Sequence, residues 1–175
     1  MIDKLYDFVD RLSTWPIVAI LVVILVLTNQ AYIGRREIIG NQIQLLESRR
    51  WYTPTDAEQF IGDLRDQNQV PYYVGTKVTL DVIYPITYGL LFAILLARTW
   101  GPRFTWTLLF PFFTLVFNLL ESGTIVYLFL TYNNGPSNVA WFAATCTMLK
   151  TILFLFSLVL VLNGGIVRLF RVSLY

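Results

Sequence analysis

The chain of 175 residues contains no histidine and a single cysteine, Cys146. Histidine is the commonest metal ligand and the usual general base near neutral pH, so its absence excludes imidazole-ligated haem or pigment, His-Glu-x-x-His metal chemistry and Ser-His catalysis. One cysteine forms neither an internal disulfide nor a Cys-x-x-Cys redox or zinc site, and Cys146 is expected to serve helix packing. No glycine-rich loop follows a strand pattern, which removes P-loop and dinucleotide-binding readings. Charge is scarce too: charged residues make up 14% of the chain, against roughly a quarter in ordinary soluble domains. A net charge of +2 is too small and too scattered to suggest nucleic acid or strong attraction to acidic lipids.

What remains is apolar: 56% hydrophobic and 16% aromatic residues, with a mean hydropathy of +0.60. Four runs reach the length of about 20 residues that a transmembrane helix needs, at about 15–33, 72–97, 104–131 and 137–163. Trp15 and Pro16 mark the start of the first as an interfacial anchor followed by proline in the first turn. The acidic start (Asp3, Asp7, Asp10) and the lack of an Ala-x-Ala-like site argue for a retained span over a cleaved signal peptide. Short Gly-Pro connections after the second and third spans force antiparallel neighbours. The expected fold is therefore all-α: one membrane domain over 1–175, a four-transmembrane-helix antiparallel bundle with both termini on one side.

The first connection, 34–71, is longer. Ile38, Ile39, Ile43, Leu45 and Leu46 among polar residues predict a partly amphipathic helix lying along the membrane surface. Thr53 as N-cap, Pro54 at the first helical position and Asp56 and Glu58 in the first turn then predict a short helix. Its face of Phe60, Ile61 and Leu64 would lie on the bundle mouth. Lys4, Arg11, Arg98, Arg103, Arg168 and Arg171 fall on the side of the termini, and Arg35, Arg36, Arg49, Arg50 and Arg65 on the other. Short flanking segments weigh most in the positive-inside rule, so both termini are expected in the cytoplasm.

A polar layer runs through the spans. Lys77, Asp81, Tyr84 and Tyr88 stand at i, i+4, i+7 and i+11, one helical stripe. Within that stretch, Pro85 frees a backbone carbonyl and predicts a kink. Thr114, Asn118 and Glu121 form a second stripe, Thr147, Lys150 and Ser157 a third, and the first span adds Thr28, Asn29 and Gln30 near its outer end. Counted from the outer ends of their spans, Asp81 lies nine residues in, Glu121 ten and Lys150 thirteen. At 1.5 Å per residue that is roughly 14 to 20 Å, one layer of a core about 30 Å thick. A charge in hydrocarbon costs several kcal/mol, so these groups are expected to face inward and pair.

The matching stretches Tyr52-Thr53-Pro54-Thr55-Asp56-Ala57, Asp81-Val82-Ile83-Tyr84-Pro85-Ile86-Thr87-Tyr88-Gly89, Asn118-Leu119-Leu120-Glu121-Ser122 and Thr147-Met148-Leu149-Lys150 carry a resemblance. From about Tyr52 onward the chain resembles a family of uncharacterised bacterial four-span membrane proteins. Their motifs are Tyr-Ser/Thr-Pro-x-x-Ala, Asp-x-x-(aromatic)-Pro-x-x-Tyr-Gly, Asp-x-x-Glu-Asn and Thr-x-x-Lys. Asn118 stands where that pattern has Asp, and Ser122 where it has Asn, leaving one carboxylate fewer near Lys150. The resemblance implies a bacterial inner membrane, the architecture and the site position, and no reaction.

Together these features give two readings. In the first, the protein is a non-catalytic accessory or amphiphile-binding subunit organised around Lys77, Asp81, Tyr84, Tyr88, Asn118, Glu121, Thr147 and Lys150. Lys150 would anchor an anionic head group, with hydroxyl and ring contacts from Tyr84 and Tyr88. No cofactor or metal is expected, and the partners would be membrane lipids, other membrane subunits or a small amphiphile. In the second, an intramembrane enzyme or proton-coupled transporter uses Asp81, Glu121 and Lys150. A dry contact between Lys150 and an acid favours the structural role, and a pocket beside them favours binding or chemistry.

Overall fold

A computed structural model describes residues 2–39, 45–49, 51–132 and 137–172; Ile43, Arg50 and the Asn-Asn-Gly-Pro stretch after the third span lie outside them. Among the described residues there are six α-helices and no strand: α1 Ile2–Leu12, α2 Trp15–Ile39, α3 Pro54–Asp66, α4 Val70–Trp100, α5 Leu109–Leu130 and α6 Val139–Val172. Short 3-10 helices cover Leu46–Ser48 and Pro102–Leu108. α2, α4, α6 and the segment Phe104–Leu130 are long and apolar enough to cross a bilayer. The chain is a small multi-pass membrane protein, an all-α bundle as its hydrophobic pattern predicts.

α4 is the central helix, packing against α2, α5, α6 and α1, while α5 and α6 also pair closely. Direction follows from named contacts. The far end of α2 (Arg35) meets the start of α4 (Asp81), so these two run antiparallel. Trp100, at the end of α4, donates from Nε1 to the carbonyl of Leu160 at 3.0 Å on the later half of α6, so those two run the same way. α1 folds onto the same end through Val9, packed with Leu91, Ile94 and Ala97. The end of α4, α1 and the later part of α6 thus share one end of the bundle, as an even number of spans requires.

Tryptophan marks both ends. Trp15, Trp100 and Trp106 lie at the end carrying the termini, and Trp51 and Trp141 pack together at 5.4 Å between ring centroids at the other. Four of the five are substantially exposed, as interfacial aromatics are. Arg98 ties the α1–α2 junction to α4: its Nε donates to Ser13 Oγ at 2.6 Å, its Nη2 donates to the Ser13 carbonyl at 2.7 Å, and its guanidinium lies over the Trp15 ring. Gly101, at φ +68°, ends α4 in a conformation that side chains disfavour.

The first connection differs from the expected amphipathic surface helix: Ile38 and Ile39 belong to α2, and Leu46 opens a short 3-10 turn. α2 continues as helix through Ile39, beyond the Arg35-Arg36 pair that suggests its end in the sequence. Ile39, Leu46 and Tyr52 are buried with Ala57, Phe60, Ile61 and Leu64 of α3 in one apolar core, which also takes in Tyr73 of α4 and Phe129 of α5. α3 has an apolar face that water would penalise, and these residues seal it; fully burying one such side chain is worth about 1.5–3 kcal/mol. The start of α3 follows its sequence signature. Thr53 Oγ1 accepts from the Asp56 N–H and the Asp56 carboxylate accepts from the Thr53 N–H, a capping box with Pro54 at the first position. Those bonds hold the Asp56 carboxyl below its usual range, the Thr53 backbone donor contributing most and Arg49 adding to it.

At the opposite end Gly164 lets α6 approach α4. A Cβ there would fall 2.6 Å from Thr99 Oγ1, 2.7 Å from Thr99 Cβ and 2.8 Å from Trp100 Nε1. Gly164→Ala is therefore expected to destabilise the bundle by about 1–3 kcal/mol, because the backbone-proximal Thr99 Cβ cannot swing away. Unfolding in mixed micelles checks this, with Gly165→Ala, which meets open space, as the control that should cost little.

Candidate functional site

The polar stripes converge as two ion-pair groups with a cleft beside them. In the first group three donors meet one carboxylate. Lys77 Nζ lies 2.5 Å from Asp81 Oδ2, one helical turn away on α4. From α2, Arg35 Nη1 lies 3.3 Å from Asp81 Oδ1, and the Tyr32 hydroxyl donates to the same oxygen. Arg35 is fully buried, and its guanidinium stacks 4.6 Å from the centre of the Tyr73 ring. Tyr73 in turn packs on Phe60 and Phe129. The apolar core around α3 and the Asp81 carboxylate are joined through one arginine.

In the second group Lys150 of α6 pairs with Glu121 of α5, which has no solvent exposure. Thr147, one turn before Lys150, donates from Oγ1 to Glu121 Oε1 at 2.8 Å. Fixing this carboxylate by two donors from one neighbouring helix sets the register of α5 against α6, since any slip would strand a charge. The Lys150 side chain keeps 17% exposure. Its acid is Glu121, so the expected meeting of an ammonium with a carboxylate from a separate span is present.

Between the groups lies a cleft of about 280 Å³, lined by Asn29 and Tyr32 of α2, Asp81 and Tyr84 of α4, Asn118 of α5 and Lys150 of α6. Its six lining residues come from all four spans and all carry polar atoms. α2, on one side of the cleft, packs mainly on α4, while α6, on the other, packs on α5 and α4. Tyr84 sits edge-on between Tyr32 and Tyr88, with centroids 5.3 Å from each. Tyr88 departs from the expected direct ligand contact. It is buried behind this wall, beside Asn118 and edge-on to Phe154 at 5.3 Å, and it does not line the cleft.

Other members of the stripes satisfy themselves locally. The hydroxyls of Thr28, Thr114 and Ser157 donate to carbonyls four residues earlier on their own helices, at 2.8, 2.8 and 2.9 Å. Pro85 sits within α4 without ending it, and the N–H it lacks is the one that would otherwise bond the Asp81 carbonyl. A freed backbone acceptor thus accompanies the Asp81 carboxylate on one turn. Tyr32 and Arg35 are the members that sequence reasoning places elsewhere. Their signal is present all the same: Thr28, Tyr32, Arg35 and Ile39 follow the i, i+4, i+7, i+11 spacing of the Lys77 stripe. An Arg-Arg pair after an apolar run resembles a span terminus, which hides it.

Comparison with protein-family models, curated proteins and solved structures finds no match for this chain.

Proposed function

We propose that this protein binds a small amphiphile with an anionic head in the polar cleft, entering from the bilayer, as a non-catalytic accessory subunit of a bacterial cytoplasmic membrane with both termini in the cytoplasm. The observation that carries the reading is the cleft lining: six polar residues from four apolar spans, one of them a lysine. Burying polar groups in hydrocarbon without use costs free energy, and a head group entering from the bilayer would meet Lys150, Asn29, Asn118 and the Tyr84 hydroxyl, the Tyr32 hydroxyl being donated to Asp81. Its tail would stay among lipids. The burial of Arg35 also lowers the free positive charge opposite the termini, which supports the cytoplasmic assignment.

The enzyme or transporter reading draws support from Asp81 and Lys150 sharing that cleft. Against it, Asp81 already receives three donors, and Glu121 is sealed from solvent and held by Thr147 and Lys150. Binding of a fluorescent fatty acid to the protein in nanodiscs tests the proposal. One saturable site is expected, with the alcohol of equal chain length binding more weakly. Asn118→Leu, which leaves both ion pairs in place, should weaken the acid about tenfold, the loss of roughly one good hydrogen bond. Equal binding of acid and alcohol, or no effect of Asn118→Leu, contradicts it, and pH-driven uptake into proteoliposomes would favour the rival.

A further inference from the structure

We infer that a second lipid site lies on the opposite face of α4, where α1 and the start of α5 seat one anionic phospholipid. The floor is a groove of about 270 Å³ with an almost wholly apolar lining that includes Leu5 and Phe8 of α1, Gly89 and Ala93 of α4, and Pro111 and Leu115 of α5. Gly89 and Ala93 stand one turn apart, and their small side chains leave the space that a larger residue would fill. At 100° per residue, Ile86, Gly89, Leu90 and Ala93 point away from the Lys77–Asp81–Tyr84 stripe. The groove is therefore separate from the polar cleft and does not rest on the function proposed for it.

Depth and charge identify the occupant. Ala93 lies seven residues before the interfacial Trp100 and Ile86 fourteen before it, or roughly 10 and 21 Å along the helix. The groove thus runs from the interface toward the middle of the bilayer, the path of an acyl chain. On α1, Lys4, Phe8 and Arg11 stand at i, i+4 and i+7, so two cations flank the ring that lines the groove. Both cations are exposed, and among the described residues neither is held in an ion pair. Phe8 itself is 58% exposed. Asp7 and Asp10 lie further round α1, away from the groove. Amphipathic helices with basic flanks bind anionic head groups in this way: phosphate on Lys4 and Arg11, chain against Gly89 and Ala93.

The test is native mass spectrometry of the full chain with phosphatidylglycerol and phosphatidylcholine of matched chains. The unsubstituted protein is expected to retain one phosphatidylglycerol more firmly than any phosphatidylcholine. Lys4→Gln with Arg11→Gln, both at exposed positions, should remove that preference without changing the fold seen by circular dichroism. Ala93→Phe should reduce retention of both lipids by filling the groove. Asn118→Leu should change neither, which separates this site from the cleft. Equal retention of the two lipids by the unsubstituted protein, or an unchanged preference in the double variant, overturns the inference.

Discussion

Lys150→Met is expected to destabilise the bundle by about 3 to 5 kcal/mol, Glu121→Gln by less, and the two together by much less than their sum. Breaking a buried ion pair by removing one partner leaves an uncompensated charge, whereas removing both can approach neutrality. The order of the single effects follows from burial. Glu121 has no exposure, so without Lys150 its carboxylate keeps only the Thr147 hydroxyl as a described donor. Lys150 retains some exposure, and its flexible chain can turn toward the cleft when Glu121 is neutralised. Equilibrium unfolding in mixed micelles of the four proteins measures this. Additive losses, or a larger loss for Glu121→Gln, would count against the pairing.

Asp81→Asn should cost a similar amount, about 3 to 5 kcal/mol, and its effect should spread further. Lys77, Arg35 and Tyr32 all direct donors at this carboxylate, from two helices. An amide keeps one acceptor oxygen and loses the charge that offsets buried Lys77 and Arg35, which are 1% and 0% exposed. Because Arg35 also stacks on Tyr73, and Tyr73 belongs to the core shared by α3, Leu46 and Tyr52, release of the arginine loosens the cap that α3 and this connection form on the bundle. Limited proteolysis should cut near Arg49 faster in Asp81→Asn than in Lys150→Met. Equal cleavage in both would show that the cap is independent of Asp81.

How much of this could be read from the residues depends on how locally each feature is encoded. The spans need only length and apolarity, and the α3 start needs only Thr53, Pro54 and Asp56 in order. Glu121, Thr147 and Lys150 were placeable because each stripe has helical spacing and a charge in hydrocarbon must find a partner. Which partner was not encoded locally. Asp81 and Glu121 sit at similar depths, and only the packing of α5 on α6 and of α2 on α4 assigns Lys150 to one and Arg35 to the other. Arg35 and Tyr32 were obscured because an Arg pair after an apolar run reads as the membrane boundary, while here the helix continues and one arginine turns inward. Tyr88 shares the stripe of Lys77 and Tyr84, yet the rotation that brings Tyr84 to the cleft turns Tyr88 toward Phe154. The cleft itself depends on which helices fail to meet, and no local pattern records that.

That opposite charges on separate spans meet inside the bundle is open to one direct measurement. Solid-state NMR of protein in lipid, with 15N at lysine Nζ and 13C at glutamate Cδ, reports their separation through dipolar dephasing. Strong dephasing corresponding to about 4 Å or less, the range of a direct ion pair, is expected, and it should vanish in Lys150→Met. Absence of dephasing in the unsubstituted protein, with the Lys150 ammonium instead reporting contact with acyl chains, would contradict the account.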